Sequence, residues 1–383
     1  MQLDLTDEQE LFRDTTAAFT ETELPLHRTR ELHGSPLGYE RSWLRKSAEL
    51  GWFAMLIDEA DGGGSVSGAG LLDAAIVAEQ LGRFVQPGPF VPMNVVAGAI
   101  AAEGSATQRA ELLPAIAAGE QVATWAFADA RGNWDAGQGL AAERSADGLV
   151  LTGTRGFVQD AVTADWLLAV ATLDGQPAAI LARADAPGVR IRPLTCLDLS
   201  RRLADVDFGA VTVPAGAVVG TGGAAAVEAQ LLRAIVLNCA ETVGALDGLF
   251  SMTVAYSKER IAFGRPIGSF QALKHIMADQ ALYVETCKAA AVAAAQAVQA
   301  GADDAAEVAS MAAAYIGDVS NDIAQECLQI HGGTGYAWEH DLHLLLRRVR
   351  SNSALYGEPP WHRERVCALH GLARADRLAG ADR

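Results

Sequence analysis

What this chain has little of narrows its function before any motif is considered. Basic residues are in deficit: 30 Lys and Arg stand against 47 Asp and Glu, a formal charge of −17. Binding to a nucleic-acid backbone needs clustered cations, so that class is excluded. The five cysteines, Cys196, Cys239, Cys287, Cys327 and Cys367, are odd in number, scattered and never spaced as C-x-x-C. They read as reduced, mostly buried thiols rather than a disulfide framework. The eight histidines form no H-x-x-x-H pair near a carboxylate cluster, so no metal site is expected. No apolar run approaches the roughly 18 residues of a membrane span. The first residues, Met1-Gln2-Leu3-Asp4-Leu5-Thr6-Asp7-Glu8, are acidic rather than signal-like. A soluble, cytoplasmic protein with no nucleic-acid partner and no membrane span is the expectation.

What is present is a large apolar fraction, 50% of 383 residues, enough for two or three lobes with well-buried cores. Up to about residue 120 apolar residues recur at three- and four-residue spacing, as from Leu71 to Leu81, with loops at Gly62-Gly63-Gly64-Ser65 and Pro87-Gly88-Pro89. Between 121 and 224 the texture changes to short β-prone stretches, Gly148 to Gly153, Trp166 to Thr172, Ala178 to Ala182 and Val211 to Pro214. Turn pairs such as Asp174-Gly175 and Pro187-Gly188 separate them. From 225 to 383 long alanine-rich helices return, over Val227 to Arg260, Leu273 to Ala300 and Asp303 to His331. The fold class is α+β, mostly α: an N-terminal helical domain (1–120), a middle β domain (121–224) and a C-terminal helical bundle (225–383).

Two segments carry the chemistry. Arg260-Ile261-Ala262-Phe263-Gly264-Arg265-Pro266-Ile267-Gly268-Ser269-Phe270-Gln271 places a guanidinium, an aromatic and a primary amide within twelve residues, between two helices. Arginine offers planar donors to pyrophosphate oxygens, and Gln271 both donates and accepts toward a nucleotide edge. Gln329-Ile330-His331-Gly332-Gly333-Thr334-Gly335-Tyr336 strips side chains from the backbone, so that N–H groups can approach a phosphate or ring. His331 reads as a structural helix-end histidine, and Tyr336 fits a pocket wall or plain packing.

This pair resembles the signature of the acyl-CoA dehydrogenase family, and the resemblance extends to Leu50-Gly51-Trp52-Phe53, Asp58-Glu59-Ala60-Asp61-Gly62-Gly63 and Ala78-Glu79-Gln80-Leu81-Gly82-Arg83. The segment Gly82 to Phe90 is similar to a bacterial branch acting on sterol-derived or other bulky acyl-CoAs. The resemblance implies FAD as cofactor, an acyl-CoA substrate dehydrogenated to the 2-enoyl-CoA, and electron-transfer flavoprotein as electron acceptor. It further implies a homo-oligomer or a heterotetramer with a related subunit. An oxidase on the same fold is a further option. Arg260, Phe263, Gln271, Gln329, Gly332 and Gly333 are the expected cofactor residues.

Departures from the family pattern fall on the other half of such a site. The two positions where the family carries its carboxylate base hold Tyr356 and Ala234 here. Glu358, two residues beyond the first, and Glu241, seven beyond the second and on the same helix face, are the candidate catalytic residues. For Glu241 the alternative is a buried structural carboxylate satisfied by an arginine, and for Glu358 a solvated loop residue. The loop Ala126 to Gly132 lacks the hydroxyls expected beneath a flavin, whereas Phe157 stands where an aromatic would stack on its ring. That asymmetry implies a chain that lends half of an FAD site to a neighbour, or a non-catalytic partner subunit.

Overall fold

The structure, a computed structural model, describes residues 5–136, 138–221 and 223–372. Six helices come first: α1 (Asp7–Glu23), α2 (Leu26–Glu31), α3 (Arg41–Glu49), α4 (Gly70–Arg83), α5 (Phe90–Glu103) and α6 (Ala106–Ala117). The first and last open with capping boxes, Thr6 with Gln9 and Ser105 with Gln108, which satisfy free N–H groups at each start. Eight strands follow: β1 (Ala123–Ala126), β2 (Leu140–Ser145), β3 (Gly148–Gln159), β4 (Trp166–Leu173), β5 (Gln176–Arg183), β6 (Val189–Pro193), β7 (Leu203–Val213) and β8 (Val218–Val219). Helices α7 (Gly223–Glu259), α8 (Gln271–Gln299), α9 (Ala305–His331), α10 (Leu342–Asn352) and α11 (Pro359–Leu369) complete the described chain.

The sheet runs in the order β6-β7-β3-β2-β4-β5-β8, with β1 pairing parallel to β4. Asp174 and Gly175 both take positive φ between β4 and β5, the two-residue turn that suits the twist of antiparallel strands. Strands β1 and β2 share one edge of β4: β1 pairs with Trp166 to Ala169, and β2 with Thr172 and Leu173. Residues 127–136 and 138–139, between them, therefore leave the sheet and cross toward the C-terminal helices. Arg155 pins this segment, donating from one nitrogen to the carbonyls of Phe127 and Gln138 and from another to Val170 on β4. Burial lowers the pKa of this guanidinium to about 10.

Two cores hold the molecule. A β core around Leu151, Leu167, Ile180, Val206 and Phe208 fills one face of the sheet. The larger core joins both sets of helices and the other face of the sheet, so the helical lobes are packed as one body. Helix α7 lies at its centre. By length and composition α7 is long and apolar enough to cross a membrane, but most of it is buried against its neighbours, as befits a core helix. It meets α4 at glycines: a Cβ on Gly244 would lie 1.7 Å from the Glu79 carbonyl oxygen, and one on Gly82 1.9 Å from that of Glu241. This close crossing sets Glu241 beside the N-terminal lobe.

Candidate functional site

The two glycine-bearing segments, far apart in sequence, meet at the end of the bundle. A two-stranded hairpin, Ile261–Ala262 with Arg265–Pro266, links α7 to α8, and the Gly332–Tyr336 turn caps α9. Tyr256, one turn before Arg260, stacks on His331 with ring centroids 4.4 Å apart. His331 bonds through Nδ1 to the Cys327 carbonyl, an in-helix structural contact, and burial pulls its pKa below the usual value. Around this junction Arg260, Gln271, Gln329, Gly332 and Gly333 are exposed, and Phe263 is 95% exposed at a positive φ of 53°. Arg260 makes no ion pair among the described residues. Gly332 adopts φ 56°, ψ −139°, a conformation essentially reserved for glycine, and Cβ atoms at Gly332 and Gly333 would meet nothing within 4 Å. The result is an outward-facing patch of free guanidinium, bare backbone and a projecting ring. A protein that exposed a phenyl ring so fully for no partner would incur a hydrophobic cost.

The second half of the site is a cleft of about 800 Å³ between the sheet and the C-terminal helices. One wall is the segment pinned by Arg155, from Arg131 to Trp134. Phe157 projects from the same side: the β3–β7 register shifts between Arg155 and Val158, and Phe157 takes φ 54°. A bulge of this kind re-aims a side chain, and here it leaves the ring 37% exposed over Gly132. Opposite stand Arg350 and Glu358. Glu358 is exposed, starts α11 and makes no capping bond with its side chain. The loop beneath brings no hydroxyl: the Asp129 carboxylate is used within its own turn, accepting from the backbone N–H groups of Arg131 and Asn133 and from the Asn133 amide. Phe157 and Glu358 thus share one cleft, which the hairpin residues of the same chain do not line.

Glu241 lies elsewhere, in a buried ion network. Its two oxygens accept from Arg201 and Arg348, each at 2.5 Å. Arg348 also donates to Asp198 at 2.5 Å, to the Ser200 hydroxyl and to the Gln86 carbonyl. Arg201 donates to Gln159 and Asn352 as well. Two guanidiniums and two carboxylates balance, and they tie α7, α10, the loop before β7 and the end of β3 together. Of the two arrangements open for Glu241, the geometry is that of the structural carboxylate: neither oxygen is free to receive a substrate proton.

Of the two residues at the expected base positions, Ala234 is wholly buried and Tyr356 is 6% exposed. Tyr356 closes a cluster of rings, 5.0 Å from Trp134 and 6.2 Å from Trp125, and Phe127 stacks on Trp134 at 6.0 Å. Burial pushes its phenol well above the usual range. Trp134 escapes a motif reading because its partner Tyr356 lies some 220 residues away, although it follows directly on the loop compared with the flavin-binding segment.

Two titrating groups flank this cluster. Burial raises the Asp160 carboxyl to about 7, and burial, with Arg365 adding to it, lowers His362 to about 4. The unfolded chain therefore binds the His362 proton where the folded chain does not, so this contribution to stability is present above the ordinary value of 6.5 and is lost as pH falls through about 4. Asp160 acts in the opposite sense, losing stability as pH rises through about 7. Replacing His362 with Gln is accordingly expected to flatten the loss of thermal stability between pH 6.5 and 4. An unchanged pH profile would contradict the assignment.

Comparison with known proteins matches residues 6–120 to the N-terminal domain of acyl-CoA dehydrogenases and residues 221–368 to their C-terminal domain. The acyl-CoA dehydrogenase IpdE2 of Mycolicibacterium smegmatis is 33% identical over 356 residues, 93% of this chain and 96% of that protein. Its namesake from Mycobacterium tuberculosis is 32% identical over 354 residues, 92% and 94% of the two chains. Among solved structures, a variant of the Tcur3481-Tcur3483 steroid ACAD superposes with a TM-score of 0.87 at 28% identity, covering 95% of this chain and 98% of that one. Butyryl-CoA dehydrogenase from Megasphaera elsdenii, at 22% identity and a TM-score of 0.88 over 97% of this chain and 100% of that one, shares the fold.

Proposed function

The chain belongs to the acyl-CoA dehydrogenase family, and from that premise we propose that it serves α,β-dehydrogenation of an acyl-CoA as the subunit that completes the FAD site of a related sister chain. The observation that carries this reading is the division of the site: an exposed patch with bare glycine backbone and an Arg260 unpaired among the described residues on one side, and on the other a tyrosine and an alanine at the positions that the resemblance sets against the base. FAD fits the patch. Arg260 would hold its diphosphate, Gln271 and Gln329 its adenosine end, and the bare backbone at Gly332 and Gly333 leaves room for close approach. Phe263, projecting from the hairpin, would pack beside it. The flavin supplies hydride acceptance, and the sister chain supplies the base and the donors that stabilise the enolate-like transition state.

This chain's own cleft fits the ring of a flavin less well. Phe157 offers a face for stacking, but the neighbouring loop has spent its polar groups on itself. Similarity to the steroid ACAD Tcur3481-Tcur3483, whose name joins two components, supports a heteromeric assembly and a ring-bearing acyl-CoA as substrate. Electron-transfer flavoprotein is the proposed electron acceptor.

The competing reading, a self-sufficient enzyme with Glu358 as base, draws on the presence of Glu358 in the same cleft as Phe157. The two part on one substitution. Glu358→Gln in this chain is expected to leave acyl-CoA-dependent dye reduction by the assembled complex within about twofold of the parent. A fall of roughly 100-fold or more, the scale of losing a general base, would transfer the chemistry to this chain.

A further inference from the structure

Three spaces lie next to one another within this chain and share wall residues. The outer cleft shares Trp134, Phe157 and Leu355 with a void of about 10 Å³ behind them. That void shares Leu355 and Tyr356 with a second, also about 10 Å³, whose far wall is Asn238, Cys239 and Thr242 on α7. A passage from the surface to the core helix is thus interrupted twice, first at Trp134 and then at Tyr356.

The blocking residues come from sequence-distant places and are held firmly. Trp134 rides on the segment pinned by Arg155, and Phe127 stacks against it at an interplanar angle of 14°. Tyr356 takes a φ of 61°, a left-handed conformation that a bulky residue adopts only when its surroundings enforce it.

We propose that Trp134 and Tyr356 form a built-in plug that occupies an acyl-sized passage, so that this chain is closed to the acyl group that its sister chain receives. The proposal rests on the reading of this chain as the completing subunit and adds to it. The second site is shut by protein, beyond lacking a base. A ligand admitted by removal of the plug would be the acyl portion of an acyl thioester, which would meet rings and Leu355 at the first void and the polar Asn238, Thr242, Asn352, Ser353 and His362 among the walls of the second. Deleting one such ring from a packed interior leaves a hole on the order of 150 Å³, of the kind that admits a benzene-sized molecule.

The test is the number of binding events in the complex of this chain with its sister. An S-alkyl-CoA thioether, which carries no carbonyl and cannot be dehydrogenated as an acyl-CoA, is titrated by calorimetry. The native complex is expected to bind one thioether for each pair of unlike chains. The Trp134→Gly/Tyr356→Gly complex is expected to gain a second, weaker event, with turnover at the sister's site preserved as proof of assembly. Two events per pair in the native complex would overturn the plug, and so would an assembled, active double variant that still binds only one. The native count needs no variant to fold, and Trp134→Ala alone provides a milder opening. Catalysis by this chain without its sister would defeat both the completing-subunit reading and the plug, whereas two binding events per pair in a native complex that still needs the sister for turnover would defeat the plug alone.

Discussion

Substituting Glu241 by Gln is expected to destabilise this chain by about 3–5 kcal/mol, the scale measured when one partner of a buried ion pair is removed, and to leave turnover per folded complex unchanged. The reason is charge balance in a place without water. Arg201 and Arg348 are each almost fully buried, and Glu241 contacts both at 2.5 Å. Without it two guanidiniums would share Asp198, which lies 3.6 Å from Arg201 and 2.5 Å from Arg348. The glutamine oxygen can accept one of the lost bonds but carries no charge to offset either cation. The denaturation midpoint of the purified chain reads the effect. If stability is unaffected and turnover collapses instead, Glu241 is a base and the structural assignment fails.

Arg260→Ala in this chain is expected to strip flavin from the assembled complex. A hydrogen bond to a charged group contributes about 1.5–3 kcal/mol, so retention should weaken by roughly 10- to 150-fold. Arg260 is exposed and unpaired among the described residues, so its loss costs the fold little. In the proposed assembly the sister chain's equivalent patch would face this chain's own cleft, where the ring fits poorly, and the same substitution there should matter far less. Flavin fluorescence released on gel filtration, compared for the two single variants, measures that asymmetry. Equal losses from both would mean that both chains complete working sites.

Much of this was legible in the sequence because the informative residues sit close together. Arg260 to Gln271 and Gln329 to Tyr336 are local strings, and the helices around them announce themselves by period: Val227 to Arg260 against the observed Gly223–Glu259, and Leu273 to Ala300 against Gln271–Gln299. The three-lobe order follows from the same signal. The short strands β1, β2 and β6 are harder to read, since β1 is only four residues, all buried, and the five or six of β6 and β2 carry too little alternation to stand out. What could not be read is which partners long-range contact supplies. A structural carboxylate satisfied by an arginine is among the readings open for Glu241 in the sequence, but its arginines, Arg201 and Arg348, lie 40 and 107 residues away. The plug joins Trp125, Phe127 and Trp134 to Tyr356 across more than half of the chain.

The central claim is that this chain gives half of an FAD site to another and keeps no working site for itself. Flavin content, counted by absorbance against chain concentration in the purified assembly with the sister subunit, tests it most directly. The account predicts one FAD for each pair of unlike chains and a colourless preparation of this chain alone. One FAD per chain, in a homo-oligomer active without any partner, would contradict it.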